Sequence, residues 1–388
     1  MPLTIGNIIN FLNPYAPKGL IDHADDWVTR HCQRDDIRAP RPSAWYREFD
    51  DEQEVFFYDP KLDSPSDFRE LPTVRWNVAS ASKLFYISGA RILGSEAVVI
   101  APDNRVFREF NHPPEYPPDP NWLTHACFKR RRIPPIKELK GWYATITLPA
   151  SRFYFHWILE SLPRMKLMRD YIDILDGVIV PDSPLPFHIQ SLAALGIPEH
   201  KLIPAGPNTH LKFEHLFVPC SNSYYNPAAW VHEWYKDVIL GAENRRPNPK
   251  GIKLYVSRSD ANVRRVINEK DLTGHLRSLG FLTVTLSDLA FSDQARLFYD
   301  ADIVVAPHGA GLANLVFCRP GTKVLEIFSP NWMPPCYFIL AKSAGLHYSY
   351  AIADESSASS LSESPQTRDI FVPLALLRDR VEWLLGGC

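Results

Sequence analysis

The chain has 388 residues, with 42 lysines and arginines against 44 aspartates and glutamates, which gives a formal charge of −2. This length predicts about two domains with an ample core, which excludes a small fold held together by disulfides or a structural metal. The near-neutral charge excludes a chain-wide basic surface for nucleic acid, so local groups must bind any anionic ligand. A hydrophobic content of 45% excludes wholesale disorder.

The cysteines and the start of the chain point to a reducing compartment. None of the six cysteines forms a Cys-x-x-Cys pair or has a histidine at metal-binding spacing, so we expect reduced thiols and no metal site. No lysine or arginine precedes the first apolar residues, as a secretory signal would require, and no apolar run reaches the roughly 20 residues of a membrane span. We therefore expect a cytoplasmic protein.

The first 140 residues predict short strands, hairpins and loops. Residues 1–75 show no sustained period, whereas the apolar runs of residues 84–110 are interrupted by Gly89 and Gly94, which favours hairpins. Five prolines between residues 112 and 120 exclude a helix or a central strand and predict a loop or connector.

Residues 143–240 contain segments with the apolar spacing of a strand and segments with that of a helix, in alternation, as in an α/β fold. Residues 143–148 predict a strand, and residues 153–170 carry apolar side chains at helical spacing. Pro163 lies inside this helix, so the helix either restarts there with proline in its first turn or kinks. The elements that follow are a strand at 177–180, a helix at 187–195, a strand at 211–218 and a helix at 227–240.

Residues 244–251 are polar and rich in proline, which is typical of a domain boundary. We predict an N-terminal domain at 1–243 and a C-terminal domain at 244–365, with a final helix in 366–388 that returns to the N-terminal domain. Strands and helices alternate beyond the boundary, which predicts βαβ units and a parallel sheet with a ligand crevice at the carboxyl ends of its strands. The predicted elements are strands at 252–257, 281–285, 303–306 and 323–328 and helices at 269–279, 293–301 and 312–317.

Polar residues follow or end three of these strands. Arginines supply bidentate donors to phosphate oxygens, and glycines at a helix start let a phosphate approach free N–H groups. A carboxylate in the last strand could accept hydrogen bonds from ribose hydroxyls. The glycine pair could instead form an ordinary turn and the arginines a solvated turn, but a buried, unpartnered carboxylate is costly. Together they predict a nucleotide diphosphate site formed by Arg258, Arg264, Arg265, His308, Gly309, Ala310, Gly311 and Glu326.

Several short sequence blocks occur in order between roughly residues 150 and 335. They are His156 to Arg164 (HWILESLPR), Tyr255 to Arg258 (YVSR), Arg264-Arg265, Asn268-Glu269, His308 to Asn314 (HGAGLAN), Pro320-Gly321 and Val324 to Phe328 (VLEIF). These blocks resemble the signature blocks of glycosyltransferase family 61, and they are specific jointly rather than singly.

The resemblance implies a GT-B architecture, in which two Rossmann-like domains face a cleft and the C-terminal domain binds the nucleotide sugar. It also implies an inverting, metal-independent transferase that uses a UDP-sugar such as UDP-xylose or UDP-N-acetylglucosamine. The expectation of no membrane anchor fits a bacterial-type cytoplasmic member. In this frame the arginines neutralise the leaving diphosphate, His308 and the N–H groups of residues 309–311 face the phosphates or the sugar, Asn314 belongs to the donor site, and Glu326 binds the ribose.

An inverting transfer needs a general base that takes the proton of the acceptor hydroxyl. His156 and Glu160 are four residues apart, so a helix would place them on one face. They could equally form a surface pair or a cap, and the aromatic residues around them could stack on sugars or belong to the core. We favour His156 over Glu160, because an imidazole titrates near neutral pH. Asp182 and Asp302 are reserve candidates that could also be caps.

Two further features have both a functional and a structural interpretation. Lys129 to Arg132 is the one dense basic run, which could be a solvated turn or could dock an anionic acceptor or a membrane surface. Trp332 and Tyr337 follow the last predicted strand and could lie at the sugar end of the crevice or could be packing residues.

The sequence thus predicts a transferase that moves a pentose or an N-acetylhexosamine from a UDP-sugar to a hydroxyl of a glycan or glycolipid, in capsular or surface polysaccharide synthesis. The UDP-sugar is a co-substrate and no cofactor is expected. We expect the protein in the cytoplasm or at the inner face of the membrane. A non-catalytic nucleotide-sugar or glycan binding module and a nicotinamide-dependent oxidoreductase are the alternatives. The second is disfavoured because Gly309 and Gly311 occur late in the chain and no third glycine follows.

Overall fold

The structure is a computed structural model that describes residues 14–32, 44–49, 57–58, 74–75, 82–110, 126–130, 132–221, 230–241, 246, 248, 251–356, 364 and 367–386. The proline-rich segment 112–120 and most of the predicted boundary at 244–251 lie outside the described residues. The chain divides into two units between residues 224 and 225, which is earlier than the predicted boundary at 243. The short paired strands β3 (Phe57–Tyr58) and β4 (Val74–Arg75) group with the second unit.

The first unit contains a ten-stranded sheet with mixed strand directions. Its strand order is β1-β8-β7-β6-β12-β9-β10-β11, with β5 paired to β12 and β2 paired to β5. The strands are β1 (Gly19–Ile21), β2 (Ala44–Phe49), β5 (Ser82–Ser88), β6 (Arg91–Leu93), β7 (Val98–Ile100), β8 (Arg105–Phe107), β9 (Lys137–Thr145), β10 (Gly177–Pro181), β11 (Leu202–Ala205) and β12 (His210–Cys220).

This sheet contains both parallel and antiparallel strand pairs, whereas a regular Rossmann-like domain has a parallel sheet. The pairs β6–β7 and β7–β8 are antiparallel, as the predicted hairpins require, whereas β12–β9, β9–β10 and β10–β11 are parallel. The physical reason is the length of the connections. The short turns between β6, β7 and β8 can only reverse the chain, whereas parallel neighbours need a crossover of about a dozen residues. The first unit is therefore an α/β unit whose sheet contains both parallel and antiparallel strand pairs.

The helical segment after β9 confirms the restart at Pro163. It consists of α3 (Tyr154–His156), a π-helical turn (Trp157–Ser161) and a 3-10 helix (Leu162–Ile174) that has Pro163 in its first turn. Proline fits this position because the first N–H groups of a helix have no intrahelical partner. The other helices of the first unit are α1 (Ala24–Cys32), α2 (Ala126–Lys129) and α4 (Pro186–Ala194).

The second unit is built around a five-stranded parallel sheet in the order β14-β13-β15-β16-β17. The strands are β13 (Ile252–Val256), β14 (Phe281–Val284), β15 (Ala301–Pro307), β16 (Lys323–Phe328) and β17 (His347–Ile352), and the helices are α5 (Trp230–Tyr235), α6 (Glu269–Ser278), α7 (Phe291–Asp300), a 3-10 helix (Ala310–Phe317), α8 (Cys336–Ser343) and α9 (Leu374–Gly386). The order reverses between β13 and β15, and ligands of open parallel sheets bind at such a switch point. The sequence predicted all of these strands except β17 and missed α8.

The C-terminal helix α9 packs within the second unit, which corrects the prediction that it returns to the N-terminal domain. Leu377, Val381 and Leu384 recur at helical spacing and join the apolar cluster of the second sheet. Lys323, at the start of β16, donates from Nζ to the carbonyl of Leu384 at 2.6 Å. The helix therefore covers the sheet that lies nearest to it in sequence. None of the helices among the described residues is both long and apolar enough to cross a membrane.

Candidate functional site

Arg258 follows β13 at the switch point of the second sheet and carries a partly buried positive charge. Its Nη2 and Nε donate to the backbone carbonyls of Val263 and Arg264 at 2.9 and 3.2 Å. No carboxylate forms an ion pair with it within the part of the chain that the structure describes. Burial, and then the charge of Arg264, lower its pKa. A partly buried cation held only by carbonyls loses some of its hydration without gaining a negative partner, so this arrangement favours an anionic ligand.

A carboxylate on the next helix holds the loop that carries Arg258. Glu269 Oε1 accepts from the hydroxyl of Tyr255 at 2.9 Å and from the backbone N–H of Arg258 at 3.2 Å. Asn268 exchanges two hydrogen bonds with the backbone of Val372, just before α9. Tyr255, Asn268 and Glu269 therefore act together. Their hydrogen bonds fix the backbone of the loop that carries the Arg258 guanidinium group.

Gly309 provides the space that the Arg258 side chain occupies. A Cβ atom at this position would lie 1.7 Å from Nη1 of Arg258. The φ angle of Gly309 is 176°, which any residue can adopt, so the requirement is for space rather than for conformation. The 3-10 helix starts at the exposed Ala310, and its first N–H groups point towards any ligand bound at this end. Gly311 has another role, because a Cβ there would lie 2.7 Å from Cδ1 of Leu286.

Arg264 joins the two strand ends on either side of the switch point. Its φ angle of +54° is in the left-handed region, which is strained for a side chain without a local polar group. Its Nε donates to the backbone carbonyl of His308 at 3.4 Å, and burial lowers its pKa. The second guanidinium group is therefore at the same sheet edge as the first.

The side chain of Arg265 forms a surface ion pair and does not join those of Arg258 and Arg264. It forms a bidentate ion pair with Asp369, with Nη2 and Oδ2 2.9 Å apart, and 57% of its side chain is exposed. The structure therefore brings Arg258 and Arg264 together but assigns Arg265 to a surface contact 104 residues away in sequence.

Glu326 is fully buried, and both of its oxygens have protein partners. His308 donates from Nδ1 to Oε1 at 2.5 Å, and Tyr348 donates from its hydroxyl to Oε2 at 2.5 Å. The carboxylate therefore orients a histidine, and its predicted role as a ribose acceptor stays a prediction. The sequence missed Tyr348, although the alternating residues 347–352 carry the period of a strand.

Asn314, Tyr337 and Trp332 have mainly structural contacts. Asn314 is fully buried and donates from Nδ2 to Gln294 and to the carbonyl of Gly311, which ties down the start of the 3-10 helix. The ring of Tyr337 is buried 5.2 Å from that of His308. Trp332 lies in a turn in which its N–H donates to the carbonyl of Ser329.

The catalytic candidates of the first unit form a hydrogen-bonded pair around the π-helical turn. His156 Nδ1 lies 2.8 Å from Oε2 of Glu160, and the exposed fractions of the two side chains are 22% and 7%. The other oxygen, Oε1 of Glu160, is buried and has no hydrogen-bond partner among the described residues. Arg164, one turn later, is buried and donates to the carbonyls of Glu160 and Pro219. The predicted dyad therefore exists as a contact, and a buried carboxylate orients its histidine.

The reserve candidates and the basic run are surface features. Asp182 is exposed, and Asp302 pairs with Arg319 at 2.7 Å at the amino end of β15, the edge opposite the arginine site. Arg130 donates to the carbonyl of Pro207 and Arg132 is exposed. The remaining side chains of the basic run lie outside the described residues.

Two cavities in the part of the chain that the structure describes lie away from the arginine site. One, of about 600 Å³, lies at the amino edge of the second sheet, and the other, of about 430 Å³, lies in the first unit beside Asp182. The cations of the first cavity already have partners, because Lys253 and Lys323 donate to helix carbonyls and Arg319 pairs with Asp302. We therefore identify the site by the charge of Arg258, which has no carboxylate partner among the described residues, and not by a cavity. Among the described residues no group of three or more His, Cys, Asp or Glu side chains could hold a metal ion.

The second unit thus has the open parallel α/β sheet in which ligands bind at the switch point of the strand order. Comparison with known proteins identifies a domain within the chain. Residues 154–325 match the family described as Glycosyltransferase 61, so the chain contains a glycosyltransferase 61 domain over that range.

Three relatives illustrate the similarity. The EGF domain-specific O-linked N-acetylglucosamine transferase of Gallus gallus is 30% identical over 28% of this chain and 21% of its own length. The protein of the same name from Bos taurus is 32% identical over 26% of this chain and 20% of its own. The Beta-1,2-xylosyltransferase of Arabidopsis thaliana is 36% identical over 16% of this chain and 12% of its own. The chain therefore spans about a fifth, or less, of the length of these relatives.

Proposed function

We propose that this protein is a glycosyltransferase that moves a sugar from a UDP-sugar to a hydroxyl group of a glycan or glycolipid acceptor. The observation that carries the proposal is the partly buried guanidinium of Arg258, which has carbonyl partners and no carboxylate among the described residues. The glycosyltransferase 61 match over residues 154–325 supports the reaction class.

Arg258 and Arg264 bind the diphosphate in this proposal. Two positive charges and the first N–H groups of the 3-10 helix would stabilise the negative charge that develops on the leaving diphosphate. Guanidinium groups can replace a divalent cation in this role, since they give bidentate hydrogen bonds to phosphate oxygens. We therefore propose a metal-independent donor site.

His156 is the proposed general base, and Glu160 orients it. In a single displacement the acceptor oxygen forms a bond to the anomeric carbon while the bond from that carbon to the phosphate oxygen breaks. The leaving oxygen takes the electron pair, and the base takes the acceptor proton. One displacement inverts the anomeric configuration, and the carboxylate 2.8 Å from Nδ1 of His156 would stabilise the imidazolium that forms.

The finer assignments rest on the relatives and on the sequence. Relatives named for N-acetylglucosamine and xylose transfer support a donor of the N-acetylhexosamine or pentose class. The GT-B arrangement, a bacterial-type enzyme in the cytoplasm or at the inner face of the membrane, and a role in surface polysaccharide synthesis stay predictions.

The oxidoreductase alternative is weakened by the position of the glycines. A dinucleotide fold carries its glycine-rich turn after the first strand of the sheet, whereas here β13 is followed by Arg258 and Ser259 and the glycines follow β15. Release of UDP from a UDP-sugar, in the presence and absence of acceptor glycans, separates a transferase from a non-catalytic binding module.

Calorimetric titration with UDP tests the donor site. We expect Arg258→Ala to weaken UDP binding about ten- to a hundredfold, since charged hydrogen bonds contribute about 1.5–3 kcal/mol. Arg265→Ala is the matched control, because it removes the same side chain from a surface ion pair in the same unit. Equal UDP affinities of the two variants would reject the site.

A further inference from the structure

We infer that Glu160 and Arg164 bind a second hydroxyl group of the acceptor sugar, next to the hydroxyl that receives the transferred sugar. The acceptor is then an uncharged sugar with at least two neighbouring hydroxyl groups. This inference rests on the proposed function, and it adds a binding residue, Arg164, and an acceptor chemistry that neither the motifs nor the relatives assign.

Buried polar atoms without partners collect at one end of the sheet in the first unit. Among the described residues of this unit, the buried side-chain oxygens that have no hydrogen-bond partner are Oγ of Ser82, Oγ1 of Thr145, Oε1 of Glu160 and Oγ of Ser221. Thr145 ends β9, Ser221 follows β12, which is parallel to β9, and Ser82 begins β5, which is antiparallel to β12. Buried polar groups almost always have partners, so this cluster indicates a bound polar ligand or ordered water.

The backbone around Glu160 explains why its carboxylate does not pair with Arg164. Glu160 lies in the π-helical turn, a rare conformation that is frequent at functional sites. Pro163 has no N–H to donate to the Glu160 carbonyl three residues earlier, and Nε of Arg164 donates to this carbonyl instead, at 3.2 Å. No carboxylate of the described residues pairs with Arg164, not even that of Glu160, which has the (i, i+4) spacing of such pairs.

Arg164 keeps one donor nitrogen for a ligand. Its Nη1 donates to the carbonyl of Pro219 at 3.2 Å, whereas Nη2 has no acceptor among the described residues. The residue is buried, and burial lowers the pKa of its guanidinium, while the thiol of Cys220 and the carboxylate of Glu160 act in the opposite direction. A buried donor of a charged group is costly to leave without an acceptor, so a ligand oxygen is favoured here.

A hydroxyl group matches both atoms, because it donates one hydrogen bond and accepts two. An anionic group has no hydrogen for Oε1 of Glu160 and is repelled by that carboxylate, whereas an ammonium group has no lone pair for Nη2 of Arg164. The opposite charges of the two residues, one helical turn apart, also leave no net charge for an ionic ligand to match. The site therefore fits an uncharged ligand that is rich in hydroxyl groups.

The contact with His156 places the bound hydroxyl on the sugar that is glycosylated. Oε2 of Glu160 lies 2.8 Å from Nδ1 of His156, so a hydroxyl bound at Oε1 lies close to the proposed base. Solvent reaches this pair at His156, whose side chain is partly exposed. Hydroxyl groups on adjacent carbons of one sugar ring have such a separation, so the attacking hydroxyl and the bound hydroxyl belong to the same ring.

The test measures UDP release from UDP-N-acetylglucosamine and from UDP-xylose with methyl glycosides as acceptors. The acceptors are neutral pentosides and hexosides, their monodeoxy analogues and the corresponding uronides. We expect transfer to neutral glycosides, with no uronide better than its parent hexoside. Loss of the hydroxyl next to the glycosylated position should lower kcat/KM about ten- to a hundredfold, because it leaves Glu160 and Arg164 without their partner.

Arg164→Met tests the same contact from the side of the protein. It should lower kcat/KM for the parent glycoside by a similar factor and have little further effect on the deoxy glycoside, since each change removes the same hydrogen bond. Arg169→Met is the matched control, because Arg169 lies in the same 3-10 helix and 71% of its side chain is exposed. It should leave the use of both acceptors unchanged.

The comparison of parent and deoxy glycosides uses the wild-type protein, so it decides the question even if Arg164→Met does not fold. Equal use of the two glycosides, as expected if water alone occupies the site, overturns this inference and leaves the proposed function intact. A preference for uronides, additive losses in Arg164→Met, or normal UDP binding without transfer to any neutral glycoside also overturn it. Failure of the wild-type protein to bind UDP overturns the proposed donor site instead.

Discussion

Gly309→Ala should abolish the function of Arg258 without changing Arg258 itself. The added Cβ would lie 1.7 Å from Nη1, whereas ordinary contacts begin near 3.4 Å, so the guanidinium must retreat by about 1.7 Å. Hydrogen bonds near 2.9 Å do not survive such a displacement. We therefore expect the UDP dissociation constant to rise about ten- to a hundredfold, the same range as for Arg258→Ala.

The fold should tolerate this substitution. Alanine can adopt the φ angle of 176° at residue 309, and the clashing atom is the far end of a flexible side chain. We expect the free energy of unfolding in urea to change by no more than about 1 kcal/mol. Gly274→Ala in α6 is the control, because its Cβ would meet no atom within 4 Å. It should raise stability by up to about 1 kcal/mol and leave UDP affinity unchanged.

A double mutant shows whether the two residues act as one unit. If Gly309→Ala acts only through the displaced guanidinium, adding Arg258→Ala should cost little more than either change alone. Additive losses, or a Gly309→Ala variant that binds UDP as tightly as wild type, would refute the reasoning.

Three further predictions concern the base, an internal histidine and a glycine. His156→Ala should lower sugar transfer by about 10²–10⁴ while the calorimetric UDP affinity stays unchanged; retained turnover would remove His156 as the base. Burial lowers the pKa of His232 to about 4. Because the unfolded chain binds this proton near pH 6.5 and the folded chain does not, stability measured in urea should fall by up to about 3 kcal/mol from pH 6.5 to 4. His232→Asn should flatten this dependence, and an unchanged slope would contradict the assignment. Gly251→Ala should destabilise the protein by more than the roughly 1–2 kcal/mol of left-handed strain, since φ is +58° and the Cβ would meet Asp302 at 1.6 Å. Gly321→Ala, with φ of +85° and open space, measures the strain alone in the same urea titration, and equal losses would exclude the clash.

Local signals predicted the parallel sheet of the second unit. Apolar runs of four to seven residues between helical segments marked β13 to β16, and each strand lies within two residues of its predicted start. The exception, β17, follows α8, whose residues 336–343 show little contrast between an apolar and a polar face and are almost all buried. Such a segment carries no clear period, so the strand after it was missed as well.

The candidate site was predicted in part, because strand ends can be located from sequence but partners cannot. Arg258, Arg264 and His308 were expected at one sheet edge, and the structure brings their strand ends together. Arg265 has the same residue type as its neighbour, yet Asp369, 104 residues later, determines where it points. No local pattern contains that information.

The sequence by itself determined the alternation of strands and helices, an interruption of the helix at Pro163 and the chemistry available at the carboxyl ends of the second sheet. These follow from side-chain periodicity and backbone restrictions, which act over a few residues. Only the tertiary structure decided that both oxygens of Glu326 have protein partners. That outcome depends on Tyr348, which occupies the second carboxylate oxygen from the neighbouring strand β17, 22 residues later. Strand order and burial determine which polar groups meet, and both are properties of the folded chain.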